Sequence, residues 1–182
     1  MLESAIVGKA KGGLRKRDPA PKEPVFLRAD VVEKLVGAAR RDGRMAEAAL
    51  YSFSYAFALR VPSEALGVAV GRGAGARLWL DDGVLVLHIP RRKTTEHPTV
   101  LRAKCWCGDT EHALCPVHKL GLWIGGLECG QQPWRLPAAT ARAQLRRRLV
   151  EVGIEDAARY GFREFRSGHS RDLQAAKGCS LV

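Results

Sequence analysis

Apolar residues recur along this chain with two periods, and the switch between them lays out its elements. Val32, Leu35, Val36 and Ala39 keep the spacing of one helix face, from a start near Asp30 to a stop at Asp42-Gly43. Asp30 and Glu33 have the layout of a capping box, with Asp in place of Ser or Thr. From about Arg44 to Ala58 the apolar arc widens to Met45, Ala49, Leu50, Phe53, Ala56 and Phe57, which predicts a central core helix. Tyr51 and Tyr55 fall within it and read as packing residues. Pro62 and Ser63 are helix-start residues and predict a short third helix after a break.

The period then shortens to that of strands. Arg77 to Leu80 and Val84 to Ile89 flank an Asp81-Asp82-Gly83 turn, and Thr99 to Leu101 begins a third strand. Helical spacing returns at Pro116, an N1 proline, and runs through Leu120 and Ile124 to Gly125-Gly126. A loop with Gln131-Gln132-Pro133 follows. Another helix starts around Ala138 to Thr140, carries Ala141, Leu145, Leu149 and Val152 on one face, and closes at Gly153. In the last one, Phe165, His169, Leu173 and Ala176 share a face and Gly178 stands at the C-cap position. The pattern predicts an α+β chain, mostly helical, with a small three-stranded antiparallel sheet.

Composition adds a partner class. The 182 residues suffice for one domain with a core, or for part of a larger one. With 46% hydrophobic and 27% charged residues the chain reads as globular, and its net charge of +11 favours a polyanionic partner, most often nucleic acid. No apolar run is long enough for a membrane span, and the N-terminus lacks the order of a signal peptide, so an intracellular setting is expected, the nucleus in a eukaryote. Residues 1–24 carry Lys9, Lys11, Arg15, Lys16, Arg17 and Lys22 among Gly and Pro, and read as a basic flexible lead-in, either tracking phosphates or simply solvated. Residues 25–182 form the folded part.

Several positions carry chemistry. Arg163 and Arg166 open the last helix, where two guanidinium groups beside free N–H groups can cradle a phosphate; the alternative is solvated surface arginines. Arg60 follows a buried helix directly, and Glu64 is either its internal ion-pair partner or the group that orients it toward an anion. The polar hairpin tip from Pro90 to Pro98 carries Lys93, an exposed loop residue or a reach toward a bound ligand. Arg142, Arg146, Arg147 and Arg148 crowd the exposed sides of the Ala138 helix, as a solvated face or a grip on a nucleic-acid backbone. Five cysteines make a disulfide framework unlikely in such a chain. Cys105, Cys107, Cys115 and His118 instead form a candidate tetrahedral zinc site, with His112 a substitute ligand and free thiols the alternative. Four protein ligands would leave no open position, so zinc there would be structural.

The order of these parts resembles the tyrosine recombinases, the phage-integrase family. Leu59-Arg60-Val61-Pro62-Ser63-Glu64 is similar to that family's first arginine box, a sheet with a Lys-Thr tip follows, and Arg163-Glu164-Phe165-Arg166 opens a helix as its second box does. The Arg-x-Gly-His form, with Cys-Pro-Val-His before it, is nearest the crypton-like branch. The resemblance spans about residue 24 to the end and implies a catalytic-domain-like fold, double-stranded DNA as partner, assembly of copies on DNA, and DNA recombination and integration by strand cleavage and rejoining in the intact family. It implies that Arg60 and Arg166 hold the non-bridging oxygens of a scissile phosphate, and that Lys93 protonates the leaving 5′ oxygen. Arg163 stands where the family has His or Lys; arginine binds phosphate but stays protonated and shuttles protons poorly. No tyrosine follows Arg166, since Tyr51, Tyr55 and Tyr160 all precede it. The expectation is a catalytic domain truncated before its nucleophile and not competent for cleavage as it stands. The competing expectation is a zinc-stabilised nucleic-acid-binding or scaffold module without catalytic activity.

Overall fold

The computed structural model of the chain describes residues 23–61, 63–92 and 97–176. The basic lead-in (apart from its last two residues), Pro62, Lys93 and Gly178 lie outside them. Among the described residues there are five α-helices: α1 (Ala29–Arg41), α2 (Met45–Ala56), α3 (Pro116–Gly125), α4 (Ala138–Glu151) and α5 (Arg163–Ala176). Four strands, β1 (Ala69–Val70), β2 (Arg77–Asp81), β3 (Val84–Ile89) and β4 (Thr99–Ala103), form one sheet in that order.

The α+β class agrees with the sequence pattern, but the sheet is mixed rather than three-stranded and antiparallel. The extra strand, β1, pairs parallel to β2 through Ala69 and Val70. Two residues give no periodicity to read. The β2–β3 hairpin closes on Asp82 and Gly83, both with positive φ, at 46° and 72°. That is the two-residue turn whose twist suits a hairpin.

α2 is the central helix. Nearly its whole surface is buried, and it packs against α1, α3 and α5. Phe53 lies against Trp134 at 5.0 Å between ring centroids, and Tyr51 stacks on Phe165 of α5 at 5.8 Å. The helix ends in a Schellman motif: Leu59 N–H bonds the Ser54 carbonyl and Ala58 N–H bonds that of Tyr55. The left-handed position is Ala58, at φ 48°, where glycine is the usual choice. Leu59, fully buried, locks the turn and delivers Arg60 next to it. The short helix expected after Pro62 is instead a run of turns, in which Glu64 N–H bonds the Arg60 carbonyl.

α5 docks differently from its apolar pattern. Phe165 and Gly168 are its buried residues, while Leu173 is 47% exposed. Gly168 lies so close to the segment before α1 that a Cβ there would sit 1.9 Å from the Leu27 carbonyl oxygen. Further along, Asp172 takes over from hydrophobic contact. It accepts from Ala29 N–H at 2.8 Å, from Arg28 at 2.7 Å and from the Tyr55 hydroxyl at 2.6 Å. The Asp30 capping box therefore does not form. α1 begins after Arg28 without a side-chain cap of its own, and Asp172 supplies one from α5. His169 packs edge-on to Tyr55 at 5.1 Å, as a packing residue would.

Candidate phosphate-binding cleft and metal cluster

Two structural devices converge on one cleft. The α2 Schellman turn holds Leu59, Arg60 and Val61 on one wall, and the first turns of α5 hold Arg163, Arg166 and Ser167 on the other. The cleft has a volume of about 630 Å³ and is also lined by Phe26, Ser170, Arg171 and Gln174. Arg60, Arg163 and Arg166, distant in sequence, thus share it. Lys93 lies outside the described residues. Arg171 is a member that the sequence reading missed: its guanidinium rests over the Phe26 ring at 4.9 Å. The signal was present, because positions 163, 166, 167, 170, 171 and 174 form one polar helical stripe.

Glu64 governs the Arg60 wall. Its carboxylate, 3% exposed with its residue, accepts Arg92 Nε at 3.1 Å and Arg92 Nη2 at 2.9 Å, a fork on both oxygens. It also accepts the Arg60 backbone N–H at 3.0 Å. Burial alone would push this carboxyl up, but the Arg92 fork and the Arg60 N–H outweigh it and hold it below the usual carboxylate range. The Arg60 guanidinium is left over. Its Nη1 lies 3.9 Å from Glu64 Oε1 and, among the described residues, finds no hydrogen-bond partner although that atom is buried. The expected Arg60–Glu64 pair is thus a backbone tie plus a loose ionic approach, and the tight pair is Glu64–Arg92.

Other candidates resolve away from the cleft. No tyrosine lines it among the described residues. Tyr51 bonds Glu47 at 2.7 Å, and Tyr55 bonds Asp172. Burial pushes both phenols up, helped by their carboxylate partners. Arg148, expected on a solvated face, is 1% exposed and is held by Glu47, Asp42 and Glu151. A buried carboxylate on α2 explains the difference, since either charge alone would be costly there. Arg142, Arg146 and Arg147 remain exposed on α4.

Cys105, Cys107, Cys115 and His118 converge between the end of β4 and the start of α3, with their ligand atoms all within 4.8 Å of one another. His118 Nδ1 lies 3.5, 3.2 and 3.3 Å from the sulfurs of Cys105, Cys107 and Cys115, and the Cys105 and Cys115 sulfurs are 3.7 Å apart. Tetrahedral zinc, with bonds near 2.3 Å to sulfur and about 2.1 Å to nitrogen, asks for edges of roughly 3.5–3.8 Å; the separations here start at 3.2 Å and stay within 4.8 Å, so shifts of about 1 Å or less would bring the four residues onto such a metal. Backbone N–H groups of Trp106, Cys107 and His112 donate to the sulfurs of Cys115, Cys105 and Cys107. Burial pushes the Cys115 thiol up, but donation from His118 and Trp106 prevails and brings it to about 6. His112 is not in the cluster: its Nδ1 accepts from Leu114 N–H at 3.1 Å. The cluster could hold a structural metal such as zinc, and it shares no residue with the cleft.

Five helices with a small four-stranded mixed sheet resemble a tyrosine recombinase catalytic domain in fold. The XerH site-specific recombinase, in a pre-cleavage complex with difH substrate, is similar with a TM-score of 0.56 at 15% identity. The match covers 87% of this chain and 45% of that one, and at this identity it shows the fold alone. No family model and no curated protein matches the sequence. Among the described residues no helix is long and apolar enough to cross a membrane.

Proposed function

We propose that this chain is a tyrosine-recombinase-like domain that binds the phosphate backbone of double-stranded DNA in the arginine cleft. The observation that carries the reading is the meeting of Arg60, its buried Nη1 without a hydrogen-bond partner among the described residues, with Arg163 and Arg166 across one cleft. Guanidinium groups bind phosphate through paired N–H donors, and several aimed at one phosphate stabilise charge growing on its non-bridging oxygens. Arg60 and Arg166 hold those oxygens, Arg163 adds a contact without shuttling protons, and Lys93 serves as proton donor to the leaving 5′ oxygen wherever strand cleavage is completed. The solved neighbour is a site-specific recombinase bound to its difH substrate, and the same partner class suits a chain with a net charge of +11. Copies assemble on the DNA, and residues 25–182 act as the binding unit with residues 1–24 as a basic arm.

The metal cluster favours a companion role rather than a rival one. Zinc on Cys105, Cys107, Cys115 and His118 would tie the segment after β4 to α3 and supply no chemistry to the phosphate. The test is a duplex-binding titration over a series of salt concentrations. With about six phosphates contacted, log K falls against log salt with a slope near −5. An affinity independent of salt, or no duplex binding at low salt, would refute the reading.

A further inference from the structure

Arg60 and Glu64 are neighbours on one turn, yet the carboxylate does not hold the guanidinium. Both Glu64 oxygens are already engaged. Arg92, arriving from beyond β3, places Nε on Oε1 and Nη2 on Oε2, and the Arg60 backbone N–H adds a second bond to Oε2. This fork is largely sheltered, with the Arg92 side chain 17% exposed against 4% for Glu64. Arg60 Nη1 stands 3.9 Å from Oε1, about 1 Å short of an ordinary charge-assisted bond. Such a carboxylate beside a phosphate-binding arginine is a competitor for it. Whatever satisfies the carboxylate first decides where the guanidinium goes.

We propose that Arg92 is a positioning residue: by occupying the Glu64 carboxylate as a fork it keeps the Arg60 guanidinium uncommitted and available to a phosphate in the cleft. The inference rests on the phosphate-binding reading of that cleft. The fork sets a donor on each oxygen and fixes the carboxylate in place, whereas lysine, a single point of charge, would hold Oε1 less firmly away from Arg60. In Arg92→Ala the buried carboxylate, left without its partner, closes the short gap to Nη1 and draws the guanidinium off its wall. The DNA then loses a contact made by a residue that was not mutated. Removing the charge at the same time, in Arg92→Ala with Glu64→Gln, takes away the competitor and gives the contact back.

Binding of a mixed-sequence DNA duplex, over a salt series, tests this with Arg60→Ala, Arg92→Ala, Arg92→Lys and the Arg92→Ala/Glu64→Gln double variant. Arg60→Ala is expected to weaken binding about tenfold or more and to flatten the salt slope by about one. Arg92→Ala should match it in both, and the double variant should recover most of the affinity and the slope of Arg60. Arg92→Lys should fall between, which keeps the test open if the alanine variant fails to fold. A merely structural Arg92 predicts the opposite order, with the double variant worse than the single. If Arg60→Ala binds like the unmodified chain, the phosphate reading of the cleft fails and the inference falls with it. If Arg60→Ala weakens binding but Arg92→Lys does not, or the double variant shows no recovery, the inference alone is overturned.

Discussion

Two residues show how local rules are bent to build the cleft. Ala58 sits left-handed at the end of α2 in a position that glycine fills without strain. Ala58→Gly is expected to raise stability by about 0.5–1 kcal/mol, since relief of roughly 1–2 kcal/mol of strain is partly offset by a more flexible unfolded chain. Urea denaturation would show it as a higher midpoint with an unchanged slope; a lower midpoint would mean that the turn is not strained. Asp172 carries more. It caps α1, pairs with Arg28 and satisfies Tyr55, so Asp172→Ala should cost about 2–3 kcal/mol at neutral pH. Burial would raise this carboxyl, but Tyr55, Arg28 and Ala29 N–H together hold it below its usual range. The unfolded chain therefore binds the proton more readily. The stabilisation is complete above about pH 4 and is lost as pH falls through the lowered folded value. The gap between the unmodified chain and Asp172→Ala should thus narrow only in acid; a gap that narrows between pH 5 and 7 would assign it to another group, such as His169.

At the scale of elements, most of what the sequence displays is periodicity, and periodicity finds α1, α2, α3 and α4 close to their true spans. It fails where a distant charge or a close approach decides. The capping box at Asp30 looked local, but the acceptor comes from α5. Arg148 looked solvated because its partner Glu47 lies on another helix. The α5 face shifted toward Gly168 because backbone contact with Leu27, invisible in one-dimensional spacing, sets the docking. In the site, the arginines of the two boxes and the Cys/His set were legible from residue type and order. Arg92 was not, since only the fold brings it to Glu64. The metal cluster belongs to this scale too. Zinc across the β4–α3 connection should bind at one equivalent, and chelation should lower the melting temperature by several degrees. Cys115→Ser should remove both the metal and the shift on chelation. Full stability in chelator, with no metal retained after purification, would leave the cluster as free thiols.

For the whole molecule, charge and shape make separable claims. Net charge alone would let a +11 chain attract a polyanion wherever arginines are exposed, and α4 offers Arg142 and Arg147 away from the cleft. The fold adds that α2 and α5 bring a smaller set of arginines to one cleft, which the proposed reading assigns to one phosphate. Pairs of substitutions that remove the same charge distinguish the two. The most direct measurement is duplex affinity, at one fixed salt concentration, of Arg60→Ala/Arg166→Ala beside Arg142→Ala/Arg147→Ala, both shown to be folded. A focused cleft predicts a loss of about a hundredfold for the first pair, from two charge-assisted contacts, and only a few-fold loss for the second. Equal losses from the two pairs would contradict the account, because DNA would then be reading net charge and not the cleft.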